Sequence, residues 1–263
     1  MTIFEGSAVA LVLPMFDNGD IDFEGFKKQV QRMIDGGVQA LLVNGTTGET
    51  ATITIEDEFK LLDLTLELAK GTGVKVICGA GSNDTQTALK KARYAKEKGA
   101  DAILVVTPYY NKATQKGLIE HYTAVARSID LPIIMYNVPS RTGCNIQPET
   151  AVKLAREVDN IVAIKAATGN LAQETKTMAL AEGCLDMYSG EDGLIVPLMS
   201  IGAKGVISVL SNVAPKQTHD ICAKFFAGDV AGSAKMQFEV LELVDALFCE
   251  VNPIPVKHAL NLM

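Results

Sequence analysis

The sequence predicts an α/β protein with the (β/α)8 architecture of a TIM barrel, followed by a short helical extension. Three observations carry that prediction. Eight short Val/Ile-rich runs recur along the chain, each nearly continuous in apolar character, as strands buried on both faces of a parallel sheet must be. Their starts lie about 20 to 35 residues apart, room for a strand and a crossover helix. The chain has 263 residues with no linker or low-complexity break, close to the roughly 250 of one such barrel. A doubly wound open sheet is the competing topology. It calls for a glycine-rich phosphate loop after the first strand, and "LVLPMFDNGD" (11–20) has none.

The elements follow in order. Strands are read at "SAVALVLP" (7–14), "ALLVN" (40–44), "VKVICGA" (74–80), "AILVVT" (102–107), "LPIIMYN" (131–137), "IVAIK" (161–165), "DMYSG" (186–190) and "GVISV" (205–209). The segments between them are amphipathic. "DFEGFKKQVQRMIDGG" (22–37) puts Phe23, Phe26, Val30 and Met33 on one helical face and ends at glycines. "NDTQTALKKARYAKEKGA" (83–100) starts at an Asn/Asp cap and stops at Gly99. After the eighth strand come helical patterns at 215–227 and 230–250, and "VNPIPVKHALNLM" (251–263) begins one more. Residues 1–228 are assigned to the barrel and 229–263 to the extension.

Composition bounds the function. The chain is 48% hydrophobic and 21% charged, carries a formal charge of -7, and has no Lys/Arg block. This argues against a nucleic-acid or anionic-membrane partner. Acidic substrates would have to be held by a few local cations. Five scattered cysteines without a C-x-x-C fit reduced thiols in a cytoplasm. The N-terminus lacks a basic n-region, and no segment reaches spanning length without charges. The three histidines, His121, His219 and His258, have no ligand-like spacing, and G-x-S-x-G is absent. Neither a metal nor a cofactor is expected.

In such a barrel the active site lies at the C-terminal ends of the strands. Those ends read "NGTTGET" (44–50), "TPYYN" (107–111), "YNVPSRTG" (136–143), Lys165 and "SGED" (189–192). A period of two places Ile161, Ala163 and Lys165 on one face, with Val162 and Ile164 on the other. If the first face lines the interior, Lys165 sits at the mouth. Burial would then lower its pKa and supply the neutral amine that attack on a carbonyl requires. A solvated lysine capping a strand is the plain alternative, and the polar company on the same rim tells against it. "GTTGET" reads either as a glycine turn with capping threonines or as a carboxylate nest of N–H and hydroxyl donors. Tyr136 is a half-buried packing residue or a catalyst. Tyr109 and Tyr110 are surface aromatics or an interface pair. Arg141 caps a neighbouring helix or clamps a carboxylate.

Taken together, "LVLPM", "GTTGE", "VTPYYNK", "YNVPSRTG", "IVAIK", "YSGED", "GVISV" and "NPIPVK" resemble the dihydrodipicolinate synthase family over essentially the whole chain. That family sits in the pyruvate-dependent class I aldolase superfamily, with N-acetylneuraminate lyase. The resemblance implies condensation of pyruvate with L-aspartate 4-semialdehyde through a lysine Schiff base, a step of lysine and diaminopimelate biosynthesis. It makes Lys165 the Schiff-base lysine and Tyr136 the general acid/base. It makes Thr47 the link from Tyr136 to Tyr110, which would reach across a dimer interface in a homodimer or homotetramer. Thr46 and Thr47 would bind the pyruvate carboxylate, and Arg141 that of the semialdehyde. Gly190 and Ile207 would line the pyruvate pocket through main-chain groups.

Arg141 in "PSRTG" suits a short acidic aldehyde better than a polyhydroxylated sugar acid. "GTTGE" also fits the synthase branch better than the lyase's Gly-Ser-Thr-Gly-Glu. A sister aldolase acting on a keto-sugar acid and a catalytically impaired barrel with a binding role are the alternatives. Two departures motivate the latter. Ala166 stands where the family has Glu, on the strand face turned away from Lys165. The chain also ends shortly after "NPIPVK", where relatives continue through further helices, so the extension reads as truncated. Of the site at which lysine inhibits some relatives, Asn83 and Tyr109 match. Ile55, Glu58 and Thr87 replace His, His and Glu, which implies weak or absent inhibition by lysine.

Overall fold

The computed structural model describes residues 1–263. Eight parallel strands close into a barrel in chain order: β1 (Gly6–Ala10), β2 (Ala40–Val43), β3 (Lys75–Gly79), β4 (Ala102–Val106), β5 (Ile133–Asn137), β6 (Ile161–Ala166), β7 (Asp186–Ser189) and β8 (Gly205–Ser208). β8 pairs back onto β1, with Gly6 opposite Gly205 and Val9 opposite Ser208. Helices α1 (Phe23–Asp35), α2 (Ile55–Ala69), α3 (Thr85–Lys98), α4 (Gln115–Arg127), α5 (Pro139–Thr142), α6 (Pro148–Glu157), α7 (Leu171–Ala181), α8 (Ile195–Ser200) and α9 (Pro215–Phe226) fill the connections and the first segment after β8. α10 (Val230–Glu239), α11 (Leu241–Leu247) and α12 (Ile254–Leu262) follow. No helix is long and apolar enough to cross a membrane.

Strand alternation divides the apolar side chains into two layers. Outward residues such as Val9, Leu41, Val76, Ile103, Met135 and Ile164 pack against the helices in a large continuous cluster. Inward residues form a smaller one, in which Ala8, Ala10, Ala40, Ala102 and Ala163 leave room for Tyr136 and Tyr188. Tyr188 stacks on Phe4 with ring centroids 4.2 Å apart, and its hydroxyl donates to the Phe4 carbonyl at 2.8 Å. Phe4 precedes β1, so this pair fills the end of the barrel opposite the site.

The helices start and stop for local reasons. Asp22 caps α1 by accepting from Gly25 N at 2.8 Å, and the buried face carries Phe26, Gln29, Val30 and Met33. Asp84 caps α3 by accepting from Thr87 N at 2.8 Å, and Gly99 ends the helix at φ 83°. That φ lies in the left-handed region, where a glycine carries no Cβ penalty.

Three details differ from the sequence reading. β1 ends at Ala10 rather than Pro14: Leu11 N still donates to Leu42 O of β2 at 3.0 Å, but Val12 N turns to the Asn212 side chain at 3.1 Å and Pro14 has no N–H. The helix read at 230–250 is interrupted at Val240, which separates α10 from α11. β6 carries an irregularity at its start. Ile133 pairs with Ile161 but Ile134 pairs with Ala163, so Val162 is skipped. Ile161 consequently joins the outer layer and Val162 packs against the inner one, while Ala163 and Lys165 remain inward and Ala166 outward.

Candidate active site

The C-terminal ends of the strands open into a cavity of about 780 Å³. Lys165 lies on its wall, next to last in β6 and only 5% exposed. Register places it beside Tyr136 of β5, and its Nζ lies 4.5 Å from the centre of the phenol ring. Burial lowers the Lys165 pKa to about 8; the Asp192 carboxylate opposes this and the Arg141 guanidinium adds to it. About a tenth of the amine is then neutral at pH 7. Burial pushes the Tyr136 hydroxyl up to about 12, against the opposite pulls of Arg141 and the Thr46 hydroxyl. Tyr136 is therefore a neutral phenol that can donate a proton.

Gly190, just beyond β7, fixes the lysine stem. Its N–H donates to Ala166 O at 2.7 Å. A Cβ at this position would sit 2.8 Å from Ala167 Cβ, 2.9 Å from Ala166 O and 3.1 Å from Lys165 Cε. Only glycine lets the two strand ends approach this closely. Asp192, two residues on, is buried and also faces the cavity. Its Oδ2 accepts from Val209 N at 3.0 Å and Leu210 N at 2.8 Å, while Oδ1 is buried without a partner. Burial raises its pKa.

The loop after β2 turns through a single 3-10 turn, Thr46–Gly48. Thr46 is exposed toward the cavity and is the polar neighbour of the Tyr136 hydroxyl. Thr47 is buried, and its Oγ1 accepts from Asn252 Nδ2 at 3.0 Å. The resemblance implies Thr47 as the link from Tyr136; in the structure the Thr46 hydroxyl is the one that lowers the Tyr136 pKa against burial, while Thr47 is engaged by Asn252. Arg141, on α5, lines the mouth, and its Nη2 donates to Asn252 O at 3.1 Å. It has no acidic partner. Lys91, another cation on the wall, is paired with Glu58 at 2.7 Å.

Two expected residues stand apart. Tyr110 is 89% exposed, is held at φ 73° and does not border the cavity of its own chain; Tyr109 does. Ile207 is fully buried in the inner layer of the barrel and lies outside the cavity wall. Ala166 faces the helices, away from Lys165. His121 and His219 contact Thr85 and Gln39, each at 2.9 Å, on the helical periphery. No three or more His, Cys, Asp or Glu side chains come together in a cluster suited to a metal ion. All five cysteines are free.

Sequence reasoning missed Asp192 as a site residue, although "SGED" contains it. It also missed Asn252 and the Lys257–Glu49 ion pair, which tie the last segment to the loop after β2. The available signal was a polar residue at the start of "NPIPVK", a stretch otherwise apolar until its lysine.

A closed barrel that buries one amine of lowered pKa beside a neutral phenol is the arrangement an imine-forming lyase requires. Residues 3–263 match the Dihydrodipicolinate synthetase family. A 4-hydroxy-tetrahydrodipicolinate synthase of Lachnoclostridium phytofermentans is 54% identical over 263 residues, covering 100% of this chain and 89% of that protein. The crystal structure of dihydrodipicolinate synthase from Thermotoga maritima superposes with a TM-score of 0.96 at 44% identity, covering 99% of this chain and 89% of that one. A chloride-inhibited dihydrodipicolinate synthase from Acinetobacter baumannii, solved in complex with pyruvate, gives 0.95 at 42% identity, with 99% and 88% covered. The chain belongs to the dihydrodipicolinate synthetase family.

Proposed function

We infer that this chain is a 4-hydroxy-tetrahydrodipicolinate synthase, a Schiff-base-forming lyase that condenses pyruvate with L-aspartate 4-semialdehyde. The observation that carries the reading is Lys165: a buried amine, its pKa brought down to about 8, beside the phenol of Tyr136 in a cavity whose mouth holds the unpaired Arg141.

The chemistry follows from those positions. Neutral Lys165 attacks the ketone carbon of pyruvate, and loss of water gives a protonated imine. The imine draws electrons from the methyl carbon, a proton leaves, and an enamine forms. The enamine carbon attacks the aldehyde of the second substrate, and Tyr136 gives a proton to the developing alkoxide. Acid–base help of this kind contributes ~10² to 10⁴-fold. The substrate's amine then displaces Lys165 from the imine carbon and closes the ring. Thr46, beside the phenol, is the better candidate for the relay threonine, and Thr47 for a carboxylate donor. Arg141 is assigned the semialdehyde carboxylate, because a guanidinium matches a carboxylate with two parallel N–H donors. Gly190 is assigned to the pocket through its main chain, and Ile207 to the layer beneath it.

Tyr110 supports assembly as a homodimer or homotetramer. A large aromatic that is 89% exposed sits at φ 73° in a tight turn closed by Asn111 N donating to Tyr109 O at 2.9 Å, a strained turn that holds the ring out of its own chain. A partner subunit would cover that ring if it enters the partner's cavity. Turnover tests the activity directly. The protein should consume pyruvate with aspartate semialdehyde and leave N-acetylneuraminate uncleaved. The reverse preference would move it to the sugar-acid branch, and inactivity on both would leave a binding barrel.

A further inference from the structure

We propose that Asn252 is a positioning residue for the carboxylate of the 2-oxo acid, acting through Thr47. The proposal rests on the imine-forming reading above.

Asn252 lies just before α12, in the segment that follows the barrel. It is only 6% exposed and borders the cavity. Its Nδ2 donates to Thr47 Oγ1 at 3.0 Å, and its main-chain carbonyl accepts from Arg141 Nη2 at 3.1 Å. One residue thus touches a side chain of the loop after β2 and a side chain of α5, both of which line the same cavity. Lys257 reinforces the docking by pairing with Glu49, two residues after Thr47.

The direction of the first bond matters. A hydroxyl has one hydrogen and two lone pairs. When Asn252 occupies a lone pair of Thr47, the threonine hydrogen is left to donate elsewhere, and the cavity is the open side. Without the amide the hydroxyl is free to rotate and to turn its lone pairs toward a carboxylate. A carboxylate is acceptor-only, so it is bound by the first arrangement and repelled by the second. The other atom of the same amide, Oδ1, is buried without a partner. A position that served packing alone would be filled at lower cost by an apolar side chain. The Arg141 contact uses the main chain, so a side-chain substitution at Asn252 separates the two contacts.

The test is borohydride trapping of the Lys165 imine at graded concentrations of pyruvate and, in parallel, of acetone, a ketone without a carboxylate. Asn252→Ala should raise the half-saturating pyruvate concentration about tenfold or more, the usual loss for a hydrogen bond to a charged group. The acetone value should stay within about twofold, because acetone offers no carboxylate to lose that bond. N252L, close in volume but uncharged and without a donor, should behave alike and carries the test if N252A fails to fold. In a Thr47→Val background, N252A should add nothing further to the pyruvate value. The KM for aspartate semialdehyde should change less than that for pyruvate. Equal loss for both ketones, no loss for either, or additive losses with T47V would overturn the proposal. If wild-type protein is not trapped by pyruvate at all, the imine reading falls first and takes this proposal with it.

Discussion

At the scale of single residues, Lys165 shows burial used as chemistry. Lowering its pKa from 10.5 to about 8 corresponds to a destabilisation on the order of 3 kcal/mol. For a lysine whose folded pKa is depressed, that penalty is present in full below about pH 8. It fades as pH rises toward the unfolded value and is gone above it. Lys165→Met, similar in volume and uncharged, should therefore abolish turnover and raise stability at pH 7, by chemical denaturation, with the gain shrinking near pH 10. The groups facing the amine are Tyr136, Asp192 and Arg141, so the acid limb of kcat/KM should rise with pH through about 8. Asp192→Asn removes the one group that opposes the depression and should move that limb to lower pH. A limb that stays fixed would show that Asp192 does not sense Lys165. Tyr136→Phe should lower kcat by ~10² to 10⁴-fold while pyruvate still adds to Lys165. At this scale the sequence exposed Lys165, Tyr136 and Arg141 because each stands at or just past a strand end. It could not order Thr46 and Thr47, because neighbours within a 3-10 turn do not obey strand alternation. Asp192 carries no such mark, because a carboxylate following a strand is usually solvated.

At the scale of elements, the site depends on strand ends approaching more closely than side chains normally allow. Gly190→Ala should show this. The added methyl meets Ala167, Ala166 O and Lys165 Cε at 2.8 to 3.1 Å, so either the strand or the lysine must shift. Thermal unfolding should report a loss of about 1 to 3 kcal/mol, and kcat should fall with it. Asp84→Ala at the start of α3 is the contrasting case. It removes a cap worth about 1 kcal/mol from a helix end whose capping side chain does not border the cavity. The melting temperature should drop with KM for both substrates unchanged. Strand existence was legible throughout, because eight apolar runs at barrel spacing admit few other topologies. The skipped Val162 in β6 was not, since a strand irregularity is decided by the pairing register with β5 and leaves no mark in a Val/Ile-rich run. The interruption at Val240 was hidden for a similar reason: a single break in the helix does not disturb an amphipathic pattern.

At the scale of the whole molecule, the site is assembled from parts far apart in the chain. Thr47 and Asn252 are 205 residues apart in sequence and 3.0 Å apart in space. No local pattern reports such a contact, so the sequence alone shows the last segment only as an extension. Assembly extends the same logic beyond one chain. If Tyr110 completes a neighbour's site, sedimentation should show a dimer or tetramer, and inactive K165A mixed with a weakly active Tyr110→Phe should regain turnover. Exchange without recovery would remove Tyr110 from the mechanism. In place of the lysine-responsive pattern the chain carries Ile55, Glu58 and Thr87, and Glu58 is occupied by Lys91 at 2.7 Å. Added lysine should leave initial rates unchanged; a saturable inhibition curve would contradict that.

The most direct test of the central claim is to incubate the protein with pyruvate, reduce with borohydride, and map the adduct by peptide mass. The account predicts one stable adduct, confined to the peptide carrying Lys165 and absent from K165M. An adduct on another lysine, or none, would contradict it.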